Sequence, residues 1–170
     1  MNKASSVAKG GLFTGLSIIF LYLSSIIPTN TLFFLCAAAL VIPICLNATD
    51  VKYSILVYLA SSLIGFSFLG FRNIIIYYTL FFGIYGIVKF FIEKLKNMPI
   101  EIILKLVFFN FSLFLIYYIY KATLFVNLNL DYEKYKYIIF LALQLIFIAY
   151  DYIFSMFIYY ISKNFIKKIK

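Results

Sequence analysis

Residues 100–120 read IEIILKLVFFNFSLFLIYYIY, an apolar run broken only by Glu101, Lys105, Asn110 and Ser112. A helix rises about 1.5 Å per residue, so roughly 20 such residues cover the ~30 Å hydrocarbon core of a bilayer. The run therefore predicts a membrane-crossing helix. Cutting the rest of the chain at polar or turn-forming clusters gives companions on both sides. Residues 10–27 close at Pro28-Thr29-Asn30, and residues 31–46 end before Asn47-Ala48-Thr49-Asp50. Pro43 predicts a kink or an early stop in the second of these. Residues 53–71 and 74–91 meet at Arg72-Asn73, and a basic connector from Glu93 to Pro99 leads into 100–120. A polar stretch, 127–136, precedes the last run, 137–161. The expected fold is all-α: a polytopic bundle of about six transmembrane helices forming one domain over residues 1–170.

Composition agrees with this reading. Of 170 residues, 65% are hydrophobic and 12% charged, with a mean hydropathy of +1.04; soluble domains carry about a quarter charged residues. A soluble globule of this size has too little interior to hide so much apolar surface. The net charge of +9 lies at the ends of apolar runs rather than on a stripe, which excludes a nucleic-acid reading and fits a membrane one. With the N-terminus inside, eleven basic residues fall on the cytoplasmic side and four (Arg72, Lys121, Lys134 and Lys136) outside. Both termini are therefore expected in the cytoplasm. Lys3 and Lys9 look like the n-region of a signal peptide. Residues 24–28, SSIIP, offer no small-x-small cleavage site, and bulky Leu35 precedes Cys36, so the segment is expected to remain a helix. The Lys-over-Arg skew points to a bacterial source, so the apolar spans are expected to make a multi-pass protein of the bacterial cytoplasmic membrane.

Several chemistries are excluded. There is no histidine, and Cys36 and Cys45 sit nine apart in apolar stretches, so neither a metal nor another cofactor is expected. Both cysteines read as small buried hydrophobes. No GxSxG, HExxH, Walker motif or paired intramembrane acids occur, so no enzyme is expected and any transport must be powered from outside.

Four groups of residues stand out. Ala4, Ala8, Gly11 and Gly15 share one face of the first helix, where small side chains allow close helix approach within the bundle or to a separate subunit. Ser61, Gly65, Gly83 and Gly86 read as internal packing. Asn110 and Asp151 lie about ten residues, roughly 15 Å, from the inner ends of their spans, with Gln144 two turns beyond Asp151. A mid-membrane acid costs several kcal/mol unless paired, and Lys105 is placed to reach it or to snorkel. They form either a hydrogen-bonded packing cluster or a ligand contact. Lys89–Glu93 and Glu101–Lys105, each at i,i+4, mirror one another across the basic connector as a four-charge network. On the outer side, Tyr22, Phe33, Phe71, Tyr77, Tyr117, Tyr118, Tyr120, Tyr135 and Tyr137 are candidates to line a pocket for a flat, partly apolar ligand.

One chain of 170 residues with six helices, both termini inside, and small residues on a basic-flanked first helix resembles the substrate-binding S component of energy-coupling factor transporters. In that family an AxxxA-type face docks a membrane T subunit carrying two ATPases. The matching positions are Ala4 with Ala8, continued by Gly11 with Gly15. The resemblance implies a vitamin or other micronutrient as ligand, held near the outer side, and points to Pro28–Asn30, Arg72 and the outer halves of the later helices. Arg72, Tyr77, Asn110, Gln144 and Asp151 are the candidate ligand-binding residues. A non-transporting scaffold or assembly protein, whose polar core only specifies packing, is the other reading.

Overall fold

The computed structural model describes residues 3–124 and 136–163. Lys134, Tyr135, Lys167, Lys168, Lys170 and all but the last residue of the stretch 127–136 lie outside the described residues. Every described element is helical. Helix α1 spans Lys3–Ile26, and a 3-10 turn, Pro28–Asn30, leads into α2, Thr31–Ala48. Then come α3, Val51–Leu69; α4, Asn73–Glu93; α5, Met98–Leu124; and α6, Lys136–Ile161. Among the described residues, six helices are thus long and apolar enough to cross a membrane. They run up and down between an end marked by Pro28 and an end marked by Lys94.

Local chemistry sets the breaks. Gly70 closes α3 at φ +62 and ψ −158, a conformation that a side chain disfavours, and its N–H bonds the Phe66 carbonyl at 3.0 Å. Thr49 closes α2, its N–H and hydroxyl both donating to the Cys45 carbonyl, at 2.8 and 2.7 Å. Pro43 does not end α2, contrary to the early stop its sequence predicts. It is buried within the helix, and α4 meets it at a glycine. A Cβ on Gly86 would stand 2.8 Å from the Pro43 ring, so the absent side chain makes room for the proline.

Helix α4 is regular at both ends but widens into a π turn over Tyr78–Phe82. A π turn loosens the local carbonyl ladder, and the Tyr58 hydroxyl from α3 donates to the Thr79 carbonyl at 2.8 Å. Next to it, the Tyr78 and Ser61 hydroxyls share a buried hydrogen bond of 2.8 Å. Ser61, Gly65, Gly83 and Gly86 are all buried, in line with their reading as internal packing.

Helices α2 and α4 form the centre: half of each is buried, against 11% of α6. Helix α1 packs on α2 and α3 through Ser6, Gly10, Ser17, Leu21 and Ser24. Helices α5 and α6 lean on α4 and α2 and leave most of their apolar surface bare, including Ile103, Val107, Leu145 and Phe157. Water would not tolerate such a continuous patch, whereas a lipid bilayer would cover it. These features describe a multi-pass membrane protein. Replacing Gly86 by Val should overpack the α2–α4 contact at Pro43 and cost about 1–3 kcal/mol, seen as a lower unfolding midpoint in detergent. An unchanged midpoint would show that this contact yields.

Candidate functional site

Near the Lys94 end, α4, α5 and α6 share a cluster of charges. Lys89, with its side chain 3% exposed, bridges Glu93 at 3.0 Å and the Asp151 carboxylate, and also donates to the Ser155 hydroxyl at 2.7 Å. Lys105 bridges the same Glu93 oxygen at 3.0 Å and the other Asp151 oxygen at 2.9 Å. Two ammonium groups and two carboxylates thus alternate in a closed ring. The Tyr85 hydroxyl adds a 2.5 Å hydrogen bond to Asp151 Oδ1. The ring's charges cancel, which is the condition under which ions persist away from water.

This differs from the expected network in one member. Lys89–Glu93 forms, but Glu101 joins no ion pair among the described residues, and Asp151 takes its place. Lys105 is buried and points into the bundle, where it meets two carboxylates at once; half-buried Glu101 would have offered one, with more water around it.

Above the ring lies a layer of aromatic side chains. Phe81 stacks on Tyr85 at 5.5 Å between centroids, and Phe109 lies flat on Phe147 at 4.4 Å and 8°. Beside this layer Asn110 and Gln144 exchange amide hydrogen bonds across α5 and α6, at 2.9 and 3.4 Å.

On the Pro28 side of the aromatic layer is a cavity of about 500 Å³ walled by α2, α4, α5 and α6. Small-ligand pockets typically enclose roughly 300–1,000 Å³. Its walls are apolar and carry no charged side chain; the polar atoms come from Cys36, Tyr77, Ser112 and Tyr150. The Tyr150 hydroxyl is buried with no hydrogen-bond partner among the described residues, an arrangement that costs about 1–3 kcal/mol when nothing satisfies it. A second groove of about 490 Å³ lies between α1 and α3, lined by Leu21, Tyr22 and Gly65.

The candidate ligand-binding residues are scattered by this geometry. Tyr77 lines the cavity, with its hydroxyl 2.9 Å from that of Tyr120. Asn110 and Gln144 bind each other, and Asp151 belongs to the ionic ring. Arg72 is exposed near the Pro28 end, 3.5 Å from the Ser25 hydroxyl. Of the aromatic candidates, Tyr22 lines the second groove, while Phe33, Phe71, Tyr117, Tyr118 and Tyr137 are exposed. Besides Tyr77, the cavity aromatics are Phe81, Phe82, Phe109, Phe147 and Tyr150, from the middles of the helices. Leu143, Phe147 and Tyr150 recur at helical spacing on α6, a signal that could have found that wall. Cys45 is buried in the core, but Cys36 is half-buried in the cavity wall. Among the described residues, no three His, Cys, Asp or Glu side chains come together to hold a metal ion.

Ala4, Ala8, Gly11 and Gly15 face away from the bundle. All four are exposed, and a Cβ built on Gly11 or Gly15 would meet no atom within 4 Å. The face of α1 that packs internally is the serine and glycine row through Ser6, Gly10 and Ser17.

The chain matches no known protein family, and no curated protein or solved structure matches it.

Asp151→Ala should destabilise the protein by about 3–5 kcal/mol, because Lys89 is left buried with half its counter-charge. Glu101→Ala should change stability by no more than about 0.5 kcal/mol. Detergent unfolding of both variants checks the contrast, and equal losses would show that the ring is not what holds α6.

Proposed function

We propose that the protein is the ligand-capturing membrane subunit of an ATP-driven micronutrient importer, similar to an energy-coupling factor S component. The observation that carries this reading is the cavity walled by four helices on the Pro28 side. Its position fits a substrate site: by the distribution of lysines, the Pro28 end faces outward and the Lys94 end and both termini face the cytoplasm. In this reading the chain resides in a bacterial cytoplasmic membrane and catalyses nothing itself. The bare row of Ala4, Ala8, Gly11 and Gly15 supports a second membrane subunit docking on α1, because close helix approach in lipid relies on such small residues. That partner would bring the two ATPases.

The scaffold reading has its own support. Asn110, Gln144 and Asp151, the deep polar groups, are all bound to other parts of the chain. In that case the polar core only fixes packing.

Affinity purification of the tagged protein from its native membrane, followed by mass spectrometry, separates the two. The importer reading expects a T-type membrane protein with two ATPases, lost on Gly11→Leu or Gly15→Leu. A Cβ at either position meets no atom of this chain within 4 Å, so stability should stay within about 0.5 kcal/mol. Intact protein that brings down no ATPase would favour the scaffold.

A further inference from the structure

We infer that Lys105 is a two-position switch. It clasps α5 to α4 and α6 through Glu93 and Asp151, and it moves to Glu101 when the Glu93 charge is lost, freeing the Lys94 end of α5. This concerns a movement of the chain and holds whether or not the cavity takes a ligand.

The ionic ring has one weak member. Lys89 and Lys105 both bond a single oxygen of Glu93, at 3.0 Å each. Glu93 is also the most exposed of the four, its side chain 43% open against 20% for Asp151, 10% for Lys105 and 3% for Lys89. It is the last residue of α4, so a cationic group arriving at that end meets it first. Once Glu93 is neutral, two ammonium groups share the one carboxylate of Asp151, and a low-dielectric interior does not tolerate the surplus charge. Lys89 is the deeper of the two and has Ser155 as a further acceptor, so it keeps Asp151. Lys105 is the one released.

A second partner already stands beside it. Glu101 precedes Lys105 by four residues on α5, and an acid on the N-terminal side is the better order for such a pair. Glu101 is half-buried and joins no ion pair among the described residues. While Glu93 is charged, two carboxylates hold Lys105 inward, and its departure would strand one of them. Without that charge, half a share of Asp151 competes with the whole of Glu101. Each lysine then has its own counter-charge in the new arrangement, as a discrete second position requires.

Little else holds this end of α5. Only 17% of its span is buried, and exchanging apolar contacts for lipid forfeits no hydrophobic energy. Its other polar ties lie farther towards the Pro28 end: Asn110–Gln144 to α6 and Tyr77–Tyr120 to α4. Helix α5 therefore pivots about those ties. Its Lys94 end swings outward and opens the seam with α6 below the aromatic layer.

Paired spin labels read this movement directly. The full chain, with Cys36→Ser and Cys45→Ser, carries labels at Ile102→Cys and Tyr159→Cys, exposed sites towards the Lys94 end of α5 and α6. A second pair, Tyr117→Cys and Leu141→Cys, marks exposed sites towards the Pro28 end. Electron–electron double resonance in phosphatidylcholine nanodiscs gives each separation. Glu93→Gln should lengthen the first by more than about 2 Å, beyond the roughly 1–2 Å by which packed helices ordinarily shift, and leave the second unchanged. Glu101→Gln alone should move neither. Adding Glu101→Gln to Glu93→Gln should restore the original separation, because Lys105 then has only Asp151 to return to. Were Glu93 merely a packing residue, losing a second carboxylate would repair nothing. Should Glu93→Gln fail to fold, Glu93→Asp draws the carboxylate back from the lysines by one methylene and poses the same test. No lengthening, lengthening that Glu101→Gln does not reverse, or equal lengthening of both pairs would overturn the proposal.

Discussion

Asp151 is the residue on which the placement of α6 depends. Two apolar helices in lipid gain nothing from hiding their surfaces, because the acyl chains around them are as apolar as leucine. Only 11% of α6 is buried, so packing alone gives it little reason to sit in one place. The ionic ring supplies that reason. Lys89 from α4 and Lys105 from α5 both reach Asp151, and separating any of the three helices would leave an ion uncompensated in a low-dielectric medium. Farther along, Asn110–Gln144 ties α5 to α6, and Tyr77–Tyr120 ties α4 to α5. These polar ties hold two lightly packed helices at a fixed spacing from α2 and α4, and the cavity is the space this spacing leaves.

The other half of the bundle is held differently. Helices α1, α2 and α3 approach through small residues, with Ser6, Gly10 and Ser17 of α1 buried against their neighbours. Helix α1 is thus small-sided twice over, once towards its own bundle and once, at Gly11 and Gly15, away from it. Between the two halves, the π turn of α4 and the Tyr58 hydroxyl that bonds its Thr79 carbonyl join α3 to the helix forming the cavity wall.

Much of this was legible in the sequence, and the misses have a common cause. The run 100–120 and its companions announce helices because hydropathy is a local property that survives in any packing. Asn110, Gln144, Asp151 and Lys105 could be singled out because a polar group in such a run must find a partner. The Lys105–Asp151 pair was one of the two outcomes the sequence offered for Lys105, but that Glu101 would be left out of the network was not legible. Lys105 lies four residues from Glu101 yet pairs with Asp151, 46 residues away. Helical spacing makes a contact available, but burial selects among the available ones. Where a cavity opens was not legible either: Tyr77 lines it, but Arg72 and most of the span-end tyrosines lie elsewhere, and its other aromatic walls come mainly from phenylalanines in mid-helix. The small row on α1 was visible, but its direction was not, since which face turns inward depends on α2 and α3, and the structure buries Ser6, Gly10 and Ser17 instead.

The sequence by itself determined that this is a bundle of six apolar helices with a few buried polar groups that had to be satisfied. Hydropathy and turn chemistry act within some 20 residues and need no knowledge of neighbours. The tertiary structure alone decided that the charges close on themselves, that the cavity is therefore uncharged, and that the small face of α1 is left bare. Those outcomes depend on which helices meet, and Lys89 and Asp151 meet across 62 residues of chain because low dielectric rewards the pairing that satisfies the most buried charge at once.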